Sequence, residues 1–319
     1  MNNAFAATVA FVFGTMIGSF LNVCISRLPA GESVVHPRSR CPGCGTPIAW
    51  YDNVPVISWL VLRARCRSCG TPISKLYPLV ELASAVIWML AFGAFGPTFF
   101  ALRVAVFATV MLGIAVTDAR ELLIPDGFTF FGLAWVLGTA LLVFVVAGFP
   151  IADSAVGTWL VGYDSRFATL GQAILGACAG AGVVSIAGWL GERAFKREAM
   201  GYGDMTLMAV IGAAVGPIHV LLTLFLGAVL AVLSLPLLKL FSRAPAMPDV
   251  TAVPAPSAAS AAVGAEPLLP ARASEEDTDD SRGHIPFGLF LAPAALIALL
   301  WGEALIEGYL RWMHTGSLT

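Results

Sequence analysis

Two aspartates are the residues of this 319-residue chain best suited to do chemistry together. Asp204 closes the stretch Gly201-Tyr202-Gly203-Asp204 at the mouth of a long apolar run, Met205 to Phe241, and Asp118 closes another, Phe99–Thr117. A charge at the bilayer centre costs about 2.5–3.5 kcal/mol on insertion scales, so acids in such places lie near an interface, in a polar cavity or at a working site. Two close carboxylates cannot both ionise. They share a proton, and one can activate water while the other protonates or polarises a carbonyl, which is aspartyl hydrolysis. Asp204 begins a helix and Asp118 ends one, so the helix fields assign the resting proton to Asp118. Gly201 and Gly203 would let the backbone turn tightly and bring a substrate chain close to Asp204. The alternative is that Asp204 only caps its helix.

The elements that must position this pair follow from composition. With 58% hydrophobic and 12% charged residues and a mean hydropathy of +0.84, the chain has more apolar surface than a soluble fold of this size can hide. It reads as an all-α polytopic membrane protein of about eight transmembrane helices. Spans are expected at Phe5–Ile25, Tyr77–Phe95, Phe99–Thr117, Phe128–Val146, Leu170–Leu190 and Ile285–Leu310. Met205–Phe241 is too long for one crossing and is divided by Gly216-Pro217 into a short and a long helix. The first span carries Gly14 and Gly18 on one face, suited either to close helix packing or to ordinary glycine tolerance. With no basic residue before it and Arg27 after it, it reads as a permanent anchor with its N-terminus outside.

Charge sets the sidedness. If the loop after the first span is inside, fourteen of the eighteen Lys and Arg are cytoplasmic, as the positive-inside rule requires. Asp118 and Asp204 then lie at matched depth on the cytoplasmic side. The expected domains are the first helix (1–26), a cytoplasmic zinc-binding domain (27–76), a peptidase core (77–241), a disordered linker rich in Ala, Pro and Ser (242–284), and the last helix with a short tail (285–319).

The loop from Arg27 to Lys75 holds two CxxC pairs, Cys41/Cys44 and Cys66/Cys69, each followed directly by glycine and separated by 21 residues. Four thiolates at this spacing suit a closed tetrahedral zinc site. Disulfides are the weaker reading, because seven Lys and Arg place the loop in the reducing cytoplasm. Cys24 and Cys178 read as small core residues. Asp126, after Pro125, would cap its helix or touch substrate; Glu81 would pair with Lys75 or a loop arginine, or meet a basic substrate segment. His284 reads as interfacial, and Arg103 as snorkelling outward.

These residues together carry a resemblance. Gly18-Ser19-Phe20-Leu21-Asn22-Val23, the two CxxC pairs, Asn53 to Trp59, Tyr77-Pro78-Leu79-Val80-Glu81, Asp118 with Ile124-Pro125-Asp126, Gly201 to Asp204, and Ile285-Pro286-Phe287-Gly288 resemble, in order and spacing, the type IV prepilin peptidases. These are the GxGD aspartic proteases of bacterial pilus and type II secretion systems. The resemblance implies an inner-membrane enzyme that cuts the basic leader from prepilins or pseudopilins after a glycine, at the cytoplasmic face. Asp118 and Asp204 match the catalytic aspartates. It also implies methylation of the new N-terminus with S-adenosylmethionine, an activity associated with the cysteine-bearing region. One departure bears on that second activity: many members have Gly before the Lys or Arg preceding the third cysteine, and this chain has Ala64-Arg65. A peptidase without methyl transfer is therefore the alternative, and a proton-coupled transporter is a further one. The expected partners are the prepilin substrates and the lipid bilayer, with no nucleic acid.

Overall fold

The computed structural model describes residues 3–147, 169–196, 201–241 and 286–315, without the side chains of 195, 235–241 and 315. The expected linker 242–284, with His284, lies outside the described residues. Among those described, the structure is nearly all helical: α1 (Asn3–Arg27), a 3-10 turn (Trp50–Asn53), α2 (Ile57–Val61), α3 (Leu76–Phe95), α4 (Phe99–Glu121), α5 (Asp126–Ala147), α6 (Leu170–Phe195), α7 (Tyr202–Val215), α8 (Pro217–Phe241) and α9 (Phe287–Thr315). Two compact units are distinguished, Met1–Leu233 with Pro286–Thr319, and Ser234–Ile285; the first contains the cysteine region and both aspartates.

Seven of these helices are long and apolar enough to cross a membrane, which makes this a multi-pass membrane protein. The eighth expected crossing is α7, with 14 residues. At 1.5 Å per residue it reaches only about 21 Å, against a hydrocarbon core of about 30 Å. Its end is the Gly216-Pro217 break expected from sequence: Gly216 takes φ 81°, which a side-chain-bearing residue resists, and Pro217 opens α8 with its ring already set for a helix. Other ends are similarly local. The Thr98 hydroxyl accepts from the Ala101 amide at 3.1 Å to start α4, and Thr169 with Gln172 forms a capping box on α6.

α4 forms the centre. Of its apolar window 78% is buried, against 22–44% for the other long helices, and α1, α3, α5 and α9 pack around it. α6 and α7 meet backbone to backbone, Gly176 against Gly212 and Gly180 against the Met208 carbonyl, which only glycine permits. α5 and α9 each pack on both α4 and α7 and so connect the two aspartate-bearing helices.

Small-residue packing also joins α1 to α3. A Cβ added at Gly14 would lie 2.8 Å from the Ala85 Cα, and one at Gly18 would lie 2.6 Å from the Glu81 Cα. Near the end of α1 the same seam is closed by the Asn22 side-chain amide, which donates to the Tyr77 carbonyl at 3.0 Å. Arg103 departs from expectation. Instead of snorkelling it is buried, and its Nε donates to the Thr139 hydroxyl of α5 at 3.2 Å. Cys24 is buried as expected, whereas Cys178 is exposed on α6.

Gly18→Val is expected to drive α1 off α3 and to destabilise the solubilised protein by about 1–3 kcal/mol, seen as a lower melting temperature. An unchanged melting temperature would show that the seam does not hold α1.

Candidate functional site

Asp118 lies one turn before the end of α4, where its own carbonyl accepts the amide of Leu122, the left-handed residue that stops the helix. Its side chain is buried, at 5% exposure. The carboxylate is met by the start of α9: Oδ2 accepts the Leu289 amide at 3.0 Å. Gly288 makes this approach possible, because a Cβ there would sit 3.0 Å from that oxygen and 3.3 Å from Cγ. Helix starts present free amides and partial positive charge, which suits an acid removed from water.

Asp204 is in the first turn of α7, half-buried, and Gly201 is the residue that precedes the helix. The N-cap position of α7 is Gly201 and Asp204 is the third residue of the helix, so Asp204 is not the N-cap residue. Asp118 and Asp204 lie within coulombic reach of each other. Two helix ends of opposite sign therefore act on Asp118, the end of α4 that carries it and the start of α9.

Ile124 joins the parts. It is buried, its Cδ1 lies 3.3 Å from where a Gly288 Cβ would be, and its Cβ lies 3.0 Å from where a Gly203 Cβ would be. Gly203 is thus small because Ile124 packs on it. Neither Gly203 nor Gly201 needs a positive φ, and Gly201 is ordinarily extended at φ −73°, ψ 150°. Contrary to expectation, then, Gly203 serves packing and not a tight turn, while Gly201 leaves open space up to Asp204 Oδ2, 4.0 Å from an added Cβ.

Two further expected residues stand differently. Asp126 is exposed and opens α5. Glu81 is buried and, among the described residues, pairs with neither Lys75 nor an arginine; its Oε2 accepts the Val56 amide at 2.7 Å, with Ser19 also within its reach. Val56 is β-branched at φ 60°, a conformation that persists only where neighbours impose it, and Glu81 supplies one such constraint.

The four cysteines converge as the spacing predicts. Their sulfurs all lie within 4.8 Å of one another and could hold a metal ion, with Cys41 and Cys69 Sγ 3.7 Å apart. None is in a disulfide. Each pair sits on the same kind of knuckle: Gly45 and Gly70 take φ 70° and 73°, their amides bond back to the Cys41 and Cys66 carbonyls, and an isolated antiparallel bridge closes each one, Arg40–Pro47 and Arg65–Pro72. Burial pushes the Cys41 thiol up to about 11, whereas the Thr71 hydroxyl and amide bring Cys69 down to about 6. Backbone amides of Cys69 and Ser68 likewise lower Cys66. Arg67 clasps Asp52 with three bonds of 2.6–3.1 Å. Ala64 takes φ 59°, so alanine here keeps the left-handed backbone that glycine would adopt without strain.

Sequence reasoning missed Leu289, Ile124 and Val56 as partners of the acids. Ile124 and Gly288 belong to quoted motifs, and nothing in the spacing showed that they meet at Asp118.

Comparison with known proteins shows which family the chain resembles in sequence. The family described as "Bacterial Peptidase A24 N-terminal domain" matches residues 12–95, and "Type IV leader peptidase family" matches residues 105–235. The chain is similar to proteins named "Prepilin leader peptidase/N-methyltransferase". That of Aeromonas hydrophila is 30% identical over 331 residues, covering 95% of this chain and 93% of the relative. That of Pseudomonas aeruginosa is 30% identical over 328 residues, covering 94% and 92%. That of Myxococcus xanthus is 34% identical over 207 residues, covering 65% of this chain and 55% of the relative. No solved structure matches the chain.

Ala64→Gly is expected to stabilise the cysteine region by roughly 0.5–1 kcal/mol, since relief of left-handed strain outweighs the freedom glycine adds to the unfolded chain. The temperature at which its thiols become open to alkylation should rise; a fall would contradict the strain at Ala64.

Proposed function

The chain belongs to the type IV leader peptidase family, and from that premise we propose that it is an aspartic endopeptidase whose catalytic pair is Asp118 and Asp204. Its substrates are prepilins or pseudopilins, cut between a basic leader and an apolar helix at the cytoplasmic face of the inner membrane. The observation that carries this reading is that two acids at the ends of distant apolar helices, α4 and α7, are gathered around one buried side chain, Ile124, which packs on Gly203 beside Asp204 and next to Gly288 at the Asp118 carboxylate. A transporter's proton relay would be expected near the midplane among broken helices. Here the break at Gly216-Pro217 is at the opposite end of α7 from Asp204.

The pair shares one proton. The ionised member takes a proton from a water molecule as the water oxygen attacks the scissile carbonyl carbon. The protonated member gives its proton to the carbonyl oxygen. The member that took the water's proton then passes it to the amide nitrogen while the other takes a proton back from a hydroxyl of the tetrahedral intermediate, so that the C–N bond breaks to a carboxylic acid and the new amine. The Leu289 amide fixes the Asp118 carboxyl group in orientation throughout. A helical amide is shielded by its own hydrogen bond, so the bond must first be unwound, and a glycine before the cut lowers that cost. Open space beside Gly201 admits the unwound strand, and exposed Asp126 receives the basic leader. Glu81, held by Val56, supports the cysteine region instead of meeting substrate.

Zinc fits the four cysteines. Sulfurs about 2.3 Å from a tetrahedral ion lie roughly 3.8 Å apart, close to the Cys41–Cys69 separation of 3.7 Å. Four protein ligands leave no open position, so zinc bound there would supply folding energy only. Methyl transfer from S-adenosylmethionine is a second reading, favoured by the relatives' names and by the glycine-like backbone of Ala64. The cysteine region turns its sulfurs toward one another.

Purified protein in detergent should shorten a prepilin by its leader, and Asp118→Asn or Asp204→Asn should lower the rate by about 10²–10⁴-fold. Wild-type rates in either variant would overturn the mechanism. Mass analysis of the product with and without S-adenosylmethionine decides separately whether a methyl group is added. Gly288→Ala is expected to push the Asp118 carboxylate aside and reduce kcat by about 10²-fold with little change in KM; an equal loss in KM would move Gly288 to substrate binding.

A further inference from the structure

The region between the cysteine pairs carries large apolar side chains turned outward: Trp50 is 77% exposed, Ile57 60%, Leu60 61% and Val61 70%. Ile57, Leu60 and Val61 recur at helical spacing on one face of α2, while the other face is occupied. Ser58 is buried and donates to the Tyr51 carbonyl at 3.1 Å, and the Trp59 indole donates to the Ile73 carbonyl at 3.2 Å. In a segment otherwise rich in charge, such a patch marks an interaction surface.

Its level relative to the bilayer is set by α3. The residue before α2, Val56, is bonded to Glu81, the sixth residue of α3 and therefore roughly 7.5 Å along a membrane span. Glu81 is flanked on α3 by Leu79 and Leu82, which are themselves exposed at 61% and 45%. α2 thus begins beside a turn whose outward side chains suit lipid. Arg63 and Arg65 follow α2 directly and are exposed. The loop from Arg27 to Lys75 has seven basic residues against two acids, Glu32 and Asp52, and Asp52 is already clasped by Arg67. A basic leader peptide is repelled by that charge, whereas anionic phosphate is attracted.

We propose that segment 50–65 is an interfacial element lying in the headgroup layer, with Trp50, Ile57, Leu60 and Val61 against acyl chains and Arg63 and Arg65 on anionic lipid phosphates. Aromatic and cationic residues occupy these positions at membrane surfaces because each combines an apolar body with a polar or charged end. The inference rests on the membrane placement of α3 and is independent of the peptidase reading.

Hydrogen exchange of the full-length protein in nanodiscs tests it. Amides of 57–65 should exchange at least about fivefold more slowly in discs of mixed phosphatidylglycerol and phosphatidylcholine than in phosphatidylcholine alone. Arg63→Glu with Arg65→Glu should abolish that difference, and Ile57→Ser with Leu60→Ser should speed exchange in both lipids. Bound metal and the exchange of α3 report whether each variant is folded; if the serine pair is not, the arginine pair and the wild-type comparison decide. Equal exchange in the two lipids overturns the proposal. So does protection that requires added prepilin or is lost on deleting 242–284, since the face would then belong to a peptide or to the chain's own linker.

Discussion

A buried carboxylate has to be met by positive charge or by hydrogen-bond donors, and at Asp118 that requirement is satisfied by the start of a helix 171 residues later in the chain. The bond from the Leu289 amide requires α9 to begin against the end of α4. Gly288 lets the two approach, and Ile124 fills the corner between them. With α9 so placed, it packs on both α4 and α7 and helps bring Asp204 within the field of Asp118. The site is therefore a meeting of helix ends, where unsatisfied amides are available without a basic side chain.

The seam between α1 and α3 serves the cysteine region in the same way. Gly14 and Gly18 bring the two helices into backbone contact, Asn22 ties them through the Tyr77 carbonyl, and Glu81 reaches out of that seam to the Val56 amide. A metal-capable cluster inserted in a loop of fewer than fifty residues has little core of its own. It is positioned here by an acid that the membrane helices hold in place.

Much of this was legible in the sequence because the signals are local. Continuous hydropathy marked the spans, Gly216-Pro217 marked the division between α7 and α8, and paired CxxC spacing with the following glycines marked the cysteine knuckles, whose Gly45 and Gly70 do adopt positive φ. What was illegible depends on partners distant in the chain. Glu81 looks like a free acid until Val56 is placed beside it, and Arg103 looks like a snorkelling cation until Thr139 is. Gly203 shows how one residue type supports two arguments: its smallness was read as freedom, and Ile124 shows it to be room already taken.

The backbone contacts at Gly176–Gly212 and Gly180–Met208 also have a mechanical meaning. Helices that touch without intervening side chains have almost nothing compressible between them. Asp204 accordingly rides on a stiff block formed by α6 and α7, while Asp118 is carried by α4 and the tip of α9. The two carboxylates are the jaws of a vice with one fixed side, and its aperture is adjusted only where side chains intervene, at Ile124 and along α5 and α9.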